Sequence, residues 1–126
     1  MLTEHRIILS LGSNVDATTN IGKACDILRG LLGNVRFSRM LSTEPIGIGG
    51  PCFLNCLCLA STPLTTLEVI DMAKQVETLM GSTREDRQKG RVSIDVDLLL
   101  YDDQRHHIAD WERPYLKLLM SEMEGY

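Results

Sequence analysis

Two hydrophobic periods alternate along the chain, and their order predicts the fold. Residues 5–11 are mostly apolar, with Ile7, Ile8, Leu9 and Leu11, and predict a first strand in a central, buried position. Gly12-Ser13-Asn14 breaks that run. Over residues 17–32 the positions Ile21, Ala24, Cys25, Leu28, Leu31 and Leu32 fall at helical spacing, with Asp16 as the expected cap and Gly33-Asn34 as the stop. Residues 35–43 predict a second strand, residues 44–51 a loop rich in backbone breakers, and residues 52–60 a third strand. On that third strand Phe53, Asn55, Leu57 and Leu59 share one face, and Cys52, Cys56 and Cys58 share the other, toward the core. Thr65-Thr66-Leu67-Glu68 is a capping box opening a second helix, whose expected apolar stripe is Leu67, Ile70, Ala73, Val76, Leu79 and Met80. Gly81 stops it, a charged loop spans residues 82–91, and a fourth strand covers residues 93–101. A polar run follows, then an amphipathic helix from Leu116 to Met123.

The order βαββαβ predicts an α+β fold of ferredoxin-like type: an antiparallel four-stranded sheet with two helices on one face, plus a short C-terminal helix. Residues 1–126 make one domain, long enough for a two-layer core. The second sheet face is expected to be open and to carry Phe53, Asn55, Asp95 and Asp97.

The fourth strand holds the chemistry. Ile94, Val96, Leu98 and Leu100 alternate with Asp95, Asp97, Leu99 and Tyr101. The two carboxylates therefore point the same way, roughly 7 Å apart along the strand. Like charges this close repel unless a cation lies between them or one takes a proton. Mg²⁺ prefers oxygen ligands and is held by one or two carboxylates together with substrate phosphates. Arg84, Arg87, Lys89 and Arg91 stand just upstream. Acids that hold a metal beside cations that hold phosphate oxygens suit a metal–polyphosphate complex.

Composition narrows the partners. The net charge of −4 argues against a general nucleic-acid binder. A basic loop in an acidic chain points to a small anionic ligand. No apolar run reaches the ~18 residues of a membrane span. The first residues lack the apolar stretch of a signal peptide, so the expected location is cytoplasmic. The four cysteines form no Cys-x-x-Cys pair, and no His–Cys spacing fits zinc. Gly47-Ile48-Gly49-Gly50 matches no phosphate-loop pattern and is expected to be a surface loop. His106-His107 are expected to be solvated loop histidines. Phe53 beside Asn55 suits a flat heterocycle, by stacking and amide hydrogen bonds, or alternatively plain packing.

Taken together, Leu11-Gly-Ser-Asn14, Ser42-Thr43-Glu44-Pro45-Ile46-Gly47, Phe53-Leu-Asn55, Glu77 with Gly81-Ser-Thr-Arg84, Arg91, and Ile94-Asp95-Val-Asp97-Leu-Leu-Leu-Tyr101 resemble the 6-hydroxymethyl-7,8-dihydropterin pyrophosphokinases. The resemblance covers roughly residues 5–103, with a weaker match from Arg113 to Tyr115. It implies transfer of pyrophosphate from ATP to a pterin hydroxymethyl group in folate biosynthesis. It implies Asp95 and Asp97 as Mg²⁺ ligands, and Thr43, Glu44, Ile46, Phe53, Asn55 and Tyr115 around the pterin. It places Arg84, Arg87, Lys89, Arg91, Leu98 and Arg113 with the nucleotide, with Arg84 and Arg91 acting in catalysis. The chain departs from the family pattern where Gly81-Ser82-Thr83-Arg84 replaces Gly-Arg-x-Arg, and where Arg87-Gln-Lys-Gly-Arg91 replaces Arg-Trp-Gly-Pro-Arg. A Pro-His segment is missing before Arg113. The alternatives are a non-catalytic module that binds pterin or nucleotide and an interaction domain without a small ligand.

Overall fold

The computed structural model describes residues 3–44 and 52–123. Strand β1 (His5–Ser13) lies in the centre of the sheet, antiparallel to β4 (Phe53–Thr62) on one side and to β5 (Asp95–Tyr101) on the other. The predicted second strand is present in two pieces, β2 (Val35–Phe37) and β3 (Leu41–Thr43), both paired with β4 along the same edge. Ser38 marks the break. Its backbone N–H donates to Leu57 O at 2.9 Å, and its hydroxyl accepts from Leu57 N at 2.8 Å. A side chain thus stands in for a ladder carbonyl. A two-residue strand, β6 (Gln104–Arg105), adds to β5 through a tight turn in which Asp102 has φ +52°. Among the described residues the sheet therefore has six strands in place of the predicted four, in the order β2-β4-β1-β5-β6 with β3 beside β4. Merging β2 with β3 leaves the ferredoxin-like order with one short strand appended.

Helices α1 (Ala17–Leu32) and α2 (Thr66–Leu79) cover one face. Ile21, Ala24 and Leu28 from α1, with Val69, Met72, Ala73 and Val76 from α2, pack on Ile7, Leu9, Leu11, Cys56, Cys58, Val96 and Leu98. The capping box forms: Glu68 N donates to the Thr65 hydroxyl at 3.2 Å, and Thr65 N to the Glu68 carboxylate at 3.0 Å. The buried stripe of α2 is rotated from the expected one, for Leu67 and Leu79 are each 73% exposed. Val69 and Met72 take their place, because the sheet selects one of two overlapping apolar rows. Asp16 adopts a left-handed backbone (φ 42°) and makes no side-chain cap. Cys56 and Cys58 are buried as expected, whereas Cys52 precedes the strand and is exposed.

The second face is not open along its length. Helix α4 (Pro114–Glu122) closes half of it, with Leu116, Leu119 and Met123 against Ile8, Leu57, Leu59 and Leu99. A β-bulge makes this packing possible. Leu9 pairs with Leu98 and Ile8 with Leu100, so Leu99 is the extra residue. Past the bulge the alternation inverts. Leu100 joins the α4 side, and Tyr101 turns to the helix side, where its hydroxyl donates to Leu64 O at 2.8 Å. Both residues were expected on the opposite faces. The charged loop also holds structure: a five-residue helix, α3 (Arg84–Gln88), capped by the Thr83 hydroxyl, which accepts from Asp86 N at 3.1 Å. Among the described residues no helix is long and apolar enough to cross a membrane.

Candidate active site

The uncovered half of the second face is a polar floor built by strand register. Gly12 of β1 pairs with Asn55 of β4 and Asp95 of β5, while Ser10 pairs with Leu57 and Asp97. A Cβ at position 12 would lie 3.6 Å from Asn55 Oδ1 and 3.8 Å from the Phe53 ring. Glycine therefore leaves room over the floor between Asn55 and Asp95. Asn55 is held by its own amide, whose Nδ2 donates to Thr43 Oγ1 at 2.7 Å and Leu41 O at 3.2 Å. From the C-terminal side, a 3₁₀ turn (Ile108–Glu112) and the start of α4 deliver Asp110, Arg113 and Tyr115. Arg113 Nε donates to Asp110 Oδ1 at 2.7 Å.

Two cavities meet at the acid pair. One, of about 260 Å³, lies over Phe53 and Asn55 and is walled by Thr43, Glu44, Arg113 and Tyr115. The other, of about 250 Å³, lies between α2, β5 and the segment that follows β6, and is lined by Ile70, Lys74, Glu77, Leu98, His106 and His107. Asp95 and Asp97 line both. A cavity of about 560 Å³ bordered by Arg6, Arg29 and Arg36 is larger but contains neither acid. We assign the site by its chemistry rather than by volume.

The electrostatics mark Asp97. Burial first, and then the Asp95 charge, push its carboxyl up to about 7, while the His107 imidazole, with Nε2 3.7 Å from Oδ1, opposes the shift. Burial also raises the Glu77 carboxyl; Asp95 adds to this, while the Val96 N–H (2.8 Å) and Arg87 oppose it. The donor set at the pair is all oxygen, which fits Mg²⁺. Among the described residues no three His, Cys, Asp or Glu side chains gather to hold a metal unaided. An ion here would complete its shell with water or a ligand's oxygens.

A pH effect follows for the metal-free protein. An unfolded aspartate titrates near ~3.9. The folded chain holds the Asp97 proton up to about 7, so that contribution to stability is full below ~4 and is lost as pH rises through 7. Thermal melts in chelator should show a higher Tm at pH 5.5 than at pH 8, and Asp97→Asn should reduce that difference. An unchanged pH dependence in the variant would place the titration elsewhere.

The expected cations divide. Arg87 lines neither cavity but contacts the acid pair from the edge of β5: Nη1 lies 3.2 Å from Asp95 Oδ1, and Nη2 lies 3.0 Å from Ile94 O and 3.4 Å from Glu77 Oε2. Arg84 and Arg91 are exposed and line neither cavity, and Lys89 pairs with Glu85 at 3.6 Å. Leu98 is buried in the helix-side core, with its edge on the second cavity. Ile46 lies outside the described residues. Sequence reasoning gave no role to Ser10, Lys74, His107 or Asp110, which only the topology brings here. Both histidines border the second cavity; His107 is exposed as expected, whereas His106 is half-buried and its Nε2 is buried without a partner among the described residues. Asn14, expected only to break a strand, stitches the loop before β5: Nδ2 donates to Gly90 O, and Val92 N donates to its Oδ1, each at 2.7 Å.

Comparison with known proteins agrees with this geometry. The family model described as 7,8-dihydro-6-hydroxymethylpterin-pyrophosphokinase matches residues 8–124. A folate synthesis bifunctional protein of Arabidopsis thaliana is 26% identical over 134 residues, covering 98% of this chain and 28% of that protein. The chain thus spans between a quarter and a third of the length of this relative. The 2-amino-4-hydroxy-6-hydroxymethyldihydropteridine pyrophosphokinase of Bacillus subtilis is 31% identical over 98 residues, 75% of this chain and 58% of that one. The Pseudomonas putida protein of the same name is 28% identical over 102 residues, 79% and 84% of the two chains. With a matched segment that takes in both cavities and the acid pair, the chain belongs to the 7,8-dihydro-6-hydroxymethylpterin-pyrophosphokinase family.

Proposed function

We propose that this chain transfers the pyrophosphoryl group of ATP to the hydroxymethyl group of 6-hydroxymethyl-7,8-dihydropterin, with Mg²⁺ held by Asp95 and Asp97. The carrying observation is that two cavities of similar size share those two carboxylates. A reaction between two bound molecules needs such a junction. The cavity over Phe53 and Asn55 takes the pterin: the ring stacks, and the amide, locked by Thr43, meets the heterocycle's polar edge. The cavity beside Lys74, Leu98 and His107 takes the nucleotide. The acceptor hydroxyl oxygen forms a bond to the β-phosphorus and loses its proton, and the bond from that phosphorus to the α–β bridging oxygen breaks, releasing AMP. When bound, Mg²⁺ supplies neutralisation of the triphosphate charge. Arg113, anchored by Asp110, faces the same space from the pterin side.

The test is a coupled AMP-release assay with ATP, Mg²⁺ and the pterin, alongside calorimetry with α,β-methylene-ATP. AMP release that requires both the pterin and Mg²⁺ is the expected result. Phe53→Ala and Asn55→Ala should each weaken pterin binding by about 1 kcal/mol and leave nucleotide affinity nearly unchanged. Equal weakening of both ligands would reverse the assignment of the cavities. The exposure of Arg84 and Arg91 outside both cavities favours a second reading, a binding module without turnover. Binding of both ligands with no AMP release would select it.

A further inference from the structure

Arg87 was expected to meet a phosphate, and the fold engages it with the acid pair. Helix α3 presents it over the edge of β5, where it contacts an Asp95 carboxylate oxygen, the Ile94 carbonyl and Glu77 at 3.2, 3.0 and 3.4 Å. That placement is anchored on both sides. Thr83 caps the start of α3, the Asp86 carbonyl accepts from Lys89 N and Arg91 N, and Asn14 fixes residues 90–92. Glu77 is fixed in turn by the Val96 N–H. The Arg87 side chain is 34% exposed and that of Asp95 37%, so the pair is partly open to solvent and to an incoming ligand.

We propose that Arg87 is a resident counter-cation of the acid pair, which opposes binding of a bare divalent ion and yields only to a metal–polyphosphate complex. This rests on the acid pair being the metal site. A bare dication approaching Asp95 meets a unit positive charge already bonded to the same carboxylate. A metal–triphosphate complex is a net anion, and it brings oxygen acceptors to which the guanidinium can transfer its hydrogen bonds. The site thus discriminates between the ion alone and the ion delivered on its nucleotide, a difference in affinity built from one repulsive element. Arg87 is a positioning residue in this scheme, holding Asp95 until the charged ligand arrives.

The test is titration of the metal-free protein with Mn²⁺, followed by electron paramagnetic resonance, in the wild type and in Arg87→Gln, Arg87→Lys and Asp97→Asn. Arg87→Gln should bind bare Mn²⁺ on the order of tenfold more tightly than wild type, as expected for removing a like charge near a partly exposed site. Arg87→Lys, which keeps the charge, should stay close to wild type. With Mn²⁺ and α,β-methylene-ATP together, Arg87→Gln should lose that advantage or bind more weakly than wild type. In the unmutated protein, the Arg87 Nε–H resonance should move with Mg²⁺ plus the analogue and stay in place with Mg²⁺ alone. If Arg87→Gln binds bare Mn²⁺ no more tightly, or the wild-type resonance moves with Mg²⁺ alone, the proposal fails. If Asp97→Asn keeps full affinity for the metal–nucleotide complex, the acid pair is not the metal site and the underlying reading fails with it.

Discussion

Replacing Asp97 by asparagine is expected to lower AMP release by on the order of a hundred- to a thousandfold at saturating substrates, while leaving the chain folded. The substitution keeps the shape of the side chain and removes its charge. Asp97 lines both cavities, so it stands where the two substrates would react. Asp95→Asn should fall in the same range, with a second consequence: it weakens the anchor of Arg87, which would retain Ile94 O and Glu77. Stability should move the other way. In the metal-free protein at pH 8 the ionised Asp97 is held against its burial and against Asp95, so Asp97→Asn should melt no lower than wild type. A variant that is as active as wild type with Mg²⁺, or that melts well below it without metal, would show that the acid pair is structural rather than catalytic. Single-turnover AMP release and thermal melts, made on the same samples, separate these outcomes.

The elements legible in the sequence are those with a sustained period or a cap. The apolar run of β1, the helical spacing of α1 and the Thr65–Glu68 box each carry local information, and each forms where expected. The shared face of Asp95 and Asp97 was legible because two residues of regular strand suffice to set it. Beyond Leu98 the same reasoning fails, because one bulged residue reverses the alternation and no local signal marks it. Helix α3 escaped because five residues are too short for a period. The cations show the limit most sharply. Arg84, Arg87 and Arg91 look alike in the sequence, yet of the three only Arg87 has a hydrogen bond to the acid pair among the described residues. That choice depends on where α3 docks. Likewise, His107, Lys74 and Asp110 come from separate elements that meet only through the topology.

The closure of the second face by α4 was also invisible, since an amphipathic helix states that it packs but not on what. Leu119→Ala is therefore expected to cost about 2–5 kcal/mol of unfolding free energy, the range for a leucine removed from a filled core. Leu119 is fully buried, and its partners Ile8, Leu57, Leu59 and Leu99 come from all three central strands. A β-sheet gives way little around a lost methyl cluster, so the cavity should persist rather than collapse. Leu118, one residue earlier, is 44% exposed, and Leu118→Ala should change stability by less than ~0.5 kcal/mol. The pair isolates packing from helix propensity, because both replace leucine by alanine within the same helix. The site gives a second readout. Tyr115 lies at the start of α4 and Arg113 just before it, so loosening the helix should weaken pterin binding through both. Urea unfolding of the two variants and calorimetry with the pterin would decide the matter. Equal stability of Leu119→Ala and Leu118→Ala would mean that α4 does not seal this face, and that Tyr115 and Arg113 are not held against the acid pair by it.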